Sequence, residues 1–214
     1  MKVLIDGDSI IYSAAASSPT DIYCYANAKR IIYKCLDRNY SDDYTLYLTE
    51  HDTNWRKQRV GSYKATRRIE KPLWYWEVWD YVIANYNTTV VSGIEADDAV
   101  AQNNFQEYTT ICGIDKDLNT IPGWHYNWRE DRRWFITAYE ANRYFYKQML
   151  MGDVADNIKG IPGIGNKKSE QILNDSKSMF RDYTKLAYQN HFKDDWKHEW
   201  STNKYLLKLG NNKQ

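Results

Sequence analysis

The stretch "KVLIDGDSIIYSAAAS" (residues 2–17) has the pattern of a short buried strand that leads directly into a helix. The strand "KVLI" ends at Asp6, and "SIIYSAAAS" continues with helical character. Three further strands are predicted in "YTLYLT", "TTVVSG" and "YTTICGID". Helical patterns lie between them, including "PLWYWEVWDYVIANY" (residues 72–86) and "IEADDAVAQNNFQEY" (residues 94–108). This alternation is typical of an α/β domain with a mainly parallel sheet flanked by helices.

The chain has 214 residues, which suffices for one large domain or for one domain with an appendage. "WHYNW" and "RRWFIT" predict a hairpin, and "AYEANRYFYKQMLM" predicts a helix. After Gly152 the sequence changes to turn glycines and short helices. We therefore expect an α/β domain over residues 1–150 and a helical region over 151–214.

The near-neutral net charge of +1 conceals an uneven distribution. Seven basic residues and one acidic residue lie between Arg56 and Lys71. Acidic residues concentrate instead in "GIEADDAV", "GIDKDL" and "GDVADN". The basic run by itself is also compatible with a solvated helix face.

The cysteines and the apolar runs exclude other classes of protein. Three cysteines without a C-x-x-C pair argue against a disulfide framework or a zinc–thiolate site. The sequence has no run of about 18 apolar residues and no signal-peptide pattern. We expect a cytoplasmic protein that does not associate with membranes.

Acidic residues follow three of the predicted strands. Because functional side chains in open α/β sheets gather at the carboxyl ends of strands, these carboxylates should meet at one edge. Crowded acids without a cation have raised pKa values, and their hard oxygen atoms suit Mg²⁺ or Mn²⁺. A helix N-cap remains an alternative for "EADD", and Asp8 could cap the helix that follows it. The residues that this pattern selects are Asp6, Glu95, Asp97, Asp98, Asp115 and Asp117.

A second signal lies in "GDVADNIKGIPGIGNKK" (residues 152–168). Asp153 and Asp156 precede a glycine-rich turn whose backbone N–H groups could bind phosphate. Two lysines at its end add phosphate-binding charge. Carboxylates beside a phosphate-binding turn favour an enzyme that acts on phosphodiesters.

This stretch resembles the metal-binding carboxylates and the helix–three-turn–helix of the flap endonuclease and 5′–3′ exonuclease superfamily. "LIDGDS", "WRKQRVGSYKATR", "GIEADDAVA" and "GIDKDL" follow in the family's order, so the resemblance covers about residues 2–175. It implies a PIN-like nuclease domain with a helical arch over residues 53–72, and a duplex-DNA-binding region within 151–214. The compact length resembles phage-encoded members, which implies a role in replication, primer removal or DNA degradation.

The resemblance also implies roles for individual residues. Asp6, Glu95 and Asp97 resemble ligands of a first ion. Asp98, Asp115, Asp117, Asp153 and Asp156 resemble ligands of a second, directly or through water. The implied catalytic residues are Lys64, Arg67, Asp97 and Asp115. Lys64 and Arg67 would contact the scissile phosphate, and Tyr63 would stack on a nearby base. The implied nucleic-acid contacts are Arg56, Arg59, Tyr63, Lys64, Arg67, Arg68, Gly163, Gly165, Lys167 and Lys168.

One position departs from the family pattern. Many members have an aspartate seven residues before the arginine that corresponds to Arg56, and this sequence has Thr49 there, followed by Glu50. Either Glu50 substitutes, or the first ion has one carboxylate fewer and one water more.

The resemblance implies two Mg²⁺ ions, for which Mn²⁺ can substitute, and allows K⁺ at the glycine-rich turn. The expected partner is DNA with 5′ ends or single-strand/double-strand junctions, with RNA–DNA hybrids as further substrates. We expect a monomer, in the host cytoplasm if the protein is phage-encoded. The products would carry a 5′-phosphate and a 3′-hydroxyl.

Two alternatives explain less of the sequence. "VLIDGDS" also resembles the nucleophile strand of haloacid-dehalogenase-type phosphatases, but that fold leaves "EADD", "YKATR" and "GIPGIG" without roles. A non-catalytic nucleic-acid-binding module would use the glycine turn and the basic run, but would not explain the acidic residues at the strand ends.

Overall fold

The computed structural model describes residues 1–17, 20–51, 54–66 and 70–210. In chain order its elements are β1 (Lys2–Asp6), α1 (Gly7–Ala16), α2 (Asp21–Asp37), β2 (Tyr44–Thr49), α3 (Trp55–Arg59), α4 (Tyr75–Asn85), β3 (Thr88–Val91), α5 (Ala96–Gln102), β4 (Thr109–Cys112), β5 (Gly123–Asn127), β6 (Arg132–Ile136), α6 (Ala138–Met151), β7 (Gly152–Asp153), β8 (Ile158–Lys159), α7 (Asn166–Asp175), α8 (Phe180–Phe192) and α9 (Trp196–Leu207). Short 3₁₀ helices cover Lys116–Thr120 and Lys193–Asp195.

The chain divides into two compact units. The first, the α/β unit, comprises Met1–Asn54 and Ile69–Ile136, and the second, the helical unit, comprises Trp55–Arg68 and Thr137–Gln214. This division differs from the expected boundary at residue 150. Both α3 and α6 belong to the helical unit, because α6 and the turn after α3 contribute to one hydrophobic core with α7, α8 and α9.

The α/β unit contains a six-stranded sheet with the order β3–β2–β1–β4–β5–β6. Neighbouring strands are parallel except β6, which pairs antiparallel with β5 as the predicted hairpin. Apolar side chains of α1, α2 and α4 pack against β1 and β2 in one core. The predicted mainly parallel α/β fold is confirmed.

Two helices of this unit are shorter than the sequence predicted. The helix expected from Pro72 begins at Tyr75, whose N–H donates to the Pro72 carbonyl at 3.0 Å. The helix expected through residue 108 ends at Gln102. Soon after it, Asn104 donates to the Pro122 carbonyl and accepts from the Thr109 hydroxyl, and these bonds hold the chain in a loop.

The helical unit is held by buried aromatic and aliphatic side chains and by ion pairs between α6 and α7. Glu170 of α7 accepts from Lys147 at 2.6 Å and from Arg143 at 2.5 Å. These two cations hold the pKa of Glu170 down at about 2. In the described parts of both units, no helix combines the length and the apolar composition needed to cross a membrane.

Gly7 determines how closely α1 approaches β2. A Cβ atom at Gly7 would overlap the side chain of Leu46, and it would lie 2.7 Å from Leu48 Cδ2 and 2.8 Å from the Tyr47 carbonyl oxygen. Because the carbonyl belongs to the backbone of a central strand, it cannot move aside cheaply. Only glycine lets the first turn of α1 lie against the end of β2.

We therefore expect Gly7→Ala to lower the free energy of unfolding by about 1–3 kcal/mol, measured by urea denaturation. Gly61→Ala is the matched control, because a Cβ atom at Gly61 meets nothing within 4 Å. It should change stability by less than about 0.5 kcal/mol. Equal stability of the two variants would show that α1 can shift without cost.

Candidate functional site

The carboxyl edge of the sheet brings Asp6 next to the segment that follows β4. The register pairs Ile5 with Cys112, so that Asp6, at the end of β1, lies beside Gly113. A Cβ atom on Gly113 would overlap Leu118 Cδ1 and lie 3.3 Å from Asp6 Cβ, so a larger residue there would crowd this approach. Two residues later, Asp115 accepts the N–H of Asp117 at 2.9 Å, which fixes the start of a 3₁₀ helix.

The charges at this edge repel one another. Asp6 is buried, and burial together with the neighbouring charges of Asp8 and Asp115 raises its pKa to about 8. A divalent cation at this edge would offset the repulsion and favour the ionised carboxylates.

The start of α5 provides the tightest group of carboxylates among the described residues. Oxygen atoms of Glu95, Asp97 and Asp98 all lie within 4.8 Å of one another. Asp98 is fully buried and also accepts the Glu95 N–H at 3.3 Å. Asp98 therefore takes part in capping α5, the alternative that the sequence left open, and the three carboxylates are also close enough together to hold a metal ion.

Asp8 is a residue of this edge that the sequence pattern did not select. Its carboxylate accepts both the backbone N–H of Thr49, at 3.1 Å, and the Thr49 hydroxyl, at 2.5 Å. The Thr49 hydroxyl in turn accepts the Ala96 N–H at 2.8 Å. The i, i+2 spacing of Asp6 and Asp8, which Glu95/Asp97 and Asp115/Asp117 share, was the signal in the sequence.

The remaining predicted carboxylates belong to the helical unit. Asp153 and Asp156 are buried, and Asp153 accepts the Ala155 N–H at 2.8 Å. Asp156 accepts the Tyr63 hydroxyl at 3.1 Å and lies 3.7 Å from Lys64 Nζ. The structure thus brings Asp156, Tyr63 and Lys64 together within this unit, and Asp153 lies three residues before Asp156 in the chain.

The structure corrects the roles expected for Tyr63 and Arg56. Tyr63 is 3% exposed and its ring belongs to the core of the helical unit, so it cannot stack on a base in this arrangement. Arg56 is fully buried, and its guanidinium donates to the carbonyls of Leu206 at 2.9 Å and Lys208 at 3.3 Å. It binds the carboxyl end of α9, where carbonyl groups lack helical partners, rather than a nucleic acid.

Five of the other predicted nucleic-acid contacts are exposed, and Lys64 is partly buried. Arg59 lies over the Tyr205 ring at 3.8 Å, and both Gly163 and Gly165 have open space where a Cβ atom would stand. Lys167 and Lys168 are exposed in the first turn of α7. Arg67 and Arg68 lie outside the described residues.

The chemistry of the donor set fits a hard divalent cation. Each acidic group offers carboxylate oxygen atoms, which Mg²⁺ and Mn²⁺ prefer over nitrogen or sulfur. The three cysteines are buried and form no disulfide, and none of them belongs to the carboxylate group at the start of α5.

Comparisons with known proteins agree with this fold. No protein-family model matches the chain. It is 24% identical over 197 residues to the flap endonuclease Xni of Shewanella baltica, a match that covers 83% of this chain and 75% of the relative. It is 25% identical over 200 residues to the exodeoxyribonuclease of Enterobacteria phage T3, with coverage of 81% and 66%.

A solved structure of the bacteriophage T5 flap endonuclease has a similar fold. That structure is a pseudo-enzyme–product complex with DNA and metal ions. It matches with a TM-score of 0.73 at 15% identity and covers 98% of this chain and 89% of its own. The sequence relatives confirm the predicted resemblance: the chain is similar in sequence to flap endonucleases and 5′–3′ exonucleases.

The buried position of Arg56 predicts a structural phenotype. Arg56→Met should lower the free energy of unfolding by about 2–4 kcal/mol, because it leaves two carbonyl groups without their donor. Arg59→Ala, which removes an exposed guanidinium, should cost about 1 kcal/mol or less. Urea denaturation compares the two, and a stable Arg56→Met variant with weakened DNA binding would contradict the structural role.

Proposed function

We propose that the chain is a structure-specific 5′ nuclease that hydrolyses DNA phosphodiesters at or near 5′ ends and flaps. The observation that carries this proposal is the convergence of carboxylates at the carboxyl edge of the sheet. Such a group of carboxylates can hold the divalent ions that a nuclease of this kind uses. Nucleic acid as the substrate is supported by Lys64 in the turn after α3 and by the exposed glycine-rich turn before α7.

The proposed metal ligands are the carboxylates that the family resemblance implies. Asp6, Glu95 and Asp97 would hold the first ion, and the second would be held, directly or through water, by Asp98, Asp115, Asp117, Asp153 and Asp156. When bound, such ions polarise the phosphoryl group, activate water and stabilise the leaving oxygen. Mg²⁺ is the proposed physiological ion, and Mn²⁺ should substitute for it.

The carboxylates are oriented before any ion binds. Asp98, Asp115 and Asp153 each accept a nearby backbone N–H, which uses one part of the acceptor capacity and restricts rotation of the side chain. An ionised carboxylate has about four lone-pair sites, so acceptor capacity remains for a cation. Pre-orientation of this kind lowers the entropic cost of binding the ion.

Lys64 is the proposed phosphate-binding cation. Its backbone has a φ of 54°, which is uncommon for a residue with a side chain, and its N–H donates to the Asp156 carbonyl at 2.9 Å. Its ammonium group lies beside the Asp156 carboxylate. We infer that this constrained turn holds Nζ where it can stabilise negative charge on the reacting phosphate. The family resemblance implies the same role for Arg67, which lies outside the described residues.

The helix–three-turn–helix proposal rests on the segment around α7. Gly163 has a φ of 79°, a conformation that favours glycine, and Gly165 precedes α7. Exposed N–H groups at the start of a ten-residue helix, with Lys167 and Lys168 beside them, suit the phosphate backbone of duplex DNA. A K⁺ ion at this turn, action on RNA–DNA hybrids and a monomeric state belong to the same proposal.

The direct test is cleavage of a 5′-labelled flap duplex with Mg²⁺ and with EDTA, resolving the product lengths. We expect Mg²⁺-dependent cuts near the junction, and ends that a DNA ligase accepts because they carry 5′-phosphate and 3′-hydroxyl groups. Asp115→Asn should lower the single-turnover rate by at least about 100-fold yet keep DNA binding. Unchanged turnover by this variant would contradict the metal assignment, and cleavage that persists in EDTA would contradict the mechanism.

Lys64→Ala should lower the single-turnover rate at saturating Mg²⁺ by about 100-fold, because a charge near the developing phosphorane is lost. Lys57→Ala is a suitable control, since Lys57 is an exposed lysine of the neighbouring α3. It should weaken DNA binding slightly and leave the saturated rate unchanged. Equal rates for the two variants would remove Lys64 from the chemical step.

A further inference from the structure

Asp8 and Thr49 occupy adjacent positions on neighbouring elements. The parallel register pairs Asp6 with Tyr47, and each chain continues for two residues beyond that pair. On one side this leads to Asp8 in the first turn of α1, and on the other to Thr49 at the end of β2. Gly7 makes the approach possible, because a Cβ atom there would clash with β2.

The contacts fix the Asp8 carboxylate in one orientation. Thr49 N–H donates to Oδ1 and the Thr49 hydroxyl donates to Oδ2, so each oxygen accepts one hydrogen bond from the same residue. The hydroxyl can donate in this direction because its own acceptor position is taken by the Ala96 N–H. Since a carboxylate oxygen has two lone pairs, both oxygens retain acceptor capacity.

Thr49 also connects Asp8 to the acidic start of α5. Ala96, which donates to the Thr49 hydroxyl, lies between Glu95 and Asp97 in the chain. The Asp8 charge interacts unfavourably with both Asp6 and Glu95. Asp8 therefore lies close enough to the proposed ligands of the first ion for their negative charges to interact.

We propose that Asp8 supplies the carboxylate that Thr49 lacks, as a ligand of the first divalent ion either directly or through one water. Thr49 is then a positioning residue, which holds Asp8 by two hydrogen bonds instead of contributing a carboxylate itself. This inference rests on the proposed nuclease function. It replaces both expectations drawn from the sequence, namely substitution by Glu50 and a first ion with one carboxylate fewer.

Lys71 offers a competing explanation, because its charge interacts favourably with Asp8. Its side chain is exposed and its ammonium group lies 3.9 Å from the centre of the Tyr75 ring. If Lys71 were the only counter-ion that Asp8 needs, then removal of the Asp8 charge would leave metal affinity unchanged.

The test is Mn²⁺ binding to the full chain without DNA, measured by calorimetric titration and by the electron paramagnetic resonance signal of free Mn²⁺. Asp8→Asn keeps the shape and the acceptor for the Thr49 N–H but removes the charge, and should weaken Mn²⁺ binding about 10- to 100-fold. Thr49→Val should weaken it less, because the carboxylate remains but loses its hydroxyl donor. Asp42→Asn is the matched control, because Asp42 is an exposed acidic residue in a loop. This variant should bind Mn²⁺ as the wild type does.

A charge swap keeps the inference testable even if Asp8→Asn folds poorly. In Asp8→Asn/Thr49→Asp the net charge equals that of the wild type, and the carboxylate stands on β2. This double variant should recover most of the Mn²⁺ affinity lost in Asp8→Asn. Thr49→Asp alone should destabilise the metal-free protein in urea, because it sets two carboxylates against each other.

The outcomes separate this inference from the proposed function. If the wild type binds Mn²⁺ and cleaves the flap duplex, while Asp8→Asn binds Mn²⁺ equally well, the role of Asp8 is wrong and the nuclease function stands. If the wild type neither binds Mn²⁺ nor cleaves, both fail together. Weak binding by Asp8→Asn with recovery in the double variant supports the inference.

Discussion

The fold of the α/β unit has to accommodate electrostatic repulsion between carboxylates at one edge of its mainly parallel sheet. The backbone imposes it, because parallel register delivers the ends of β1 and β4 to the same place. Asp6 is buried there beside the charges of Asp8 and Asp115, with a raised pKa as the consequence. The apolar core formed by α1, α2 and α4 against the sheet supplies the stability that opposes this repulsion. Functional sites often contain charged groups that lower the stability of the fold, because those charges are needed for binding.

A shared local device orients these acidic side chains. Asp98 accepts an N–H from three residues earlier, whereas Asp115 and Asp153 each accept one from two residues later. Because the donors belong to the same turn as the acceptors, each orientation follows from short-range sequence. The α/β unit and the helical unit both use this arrangement, so each holds its carboxylates in place by itself. Cation binding then needs little further ordering of side chains.

The sequence predicted the parts of this molecule that depend on short-range patterns. Strands such as β2, the helix Ala138–Met151 and the acidic residues after β1 and β4 lie where periodicity and turn residues indicated. Long-range contacts were beyond such patterns. Arg56 is buried because it meets the carbonyls of Leu206 and Lys208, about 150 residues away in the chain. A count of basic residues treats this buried guanidinium and the exposed Arg59 as equivalent, although only the second can meet a ligand.

The pair of Asp8 and Thr49 shows why position-by-position comparison understates what such a site contains. Two residues beyond the registered pair of Asp6 and Tyr47, Asp8 in a helix and Thr49 in a strand are joined by hydrogen bonds. A carboxylate can therefore reach the same point from the end of β2 or from the first turn of α1, provided that Gly7 permits the approach. The Thr49 hydroxyl donates a hydrogen bond to the neighbouring Asp8 carboxylate, which an ionised aspartate at position 49 could not do. A departure from a family motif is thus better judged by which atoms converge in the fold than by which residue type stands at one position.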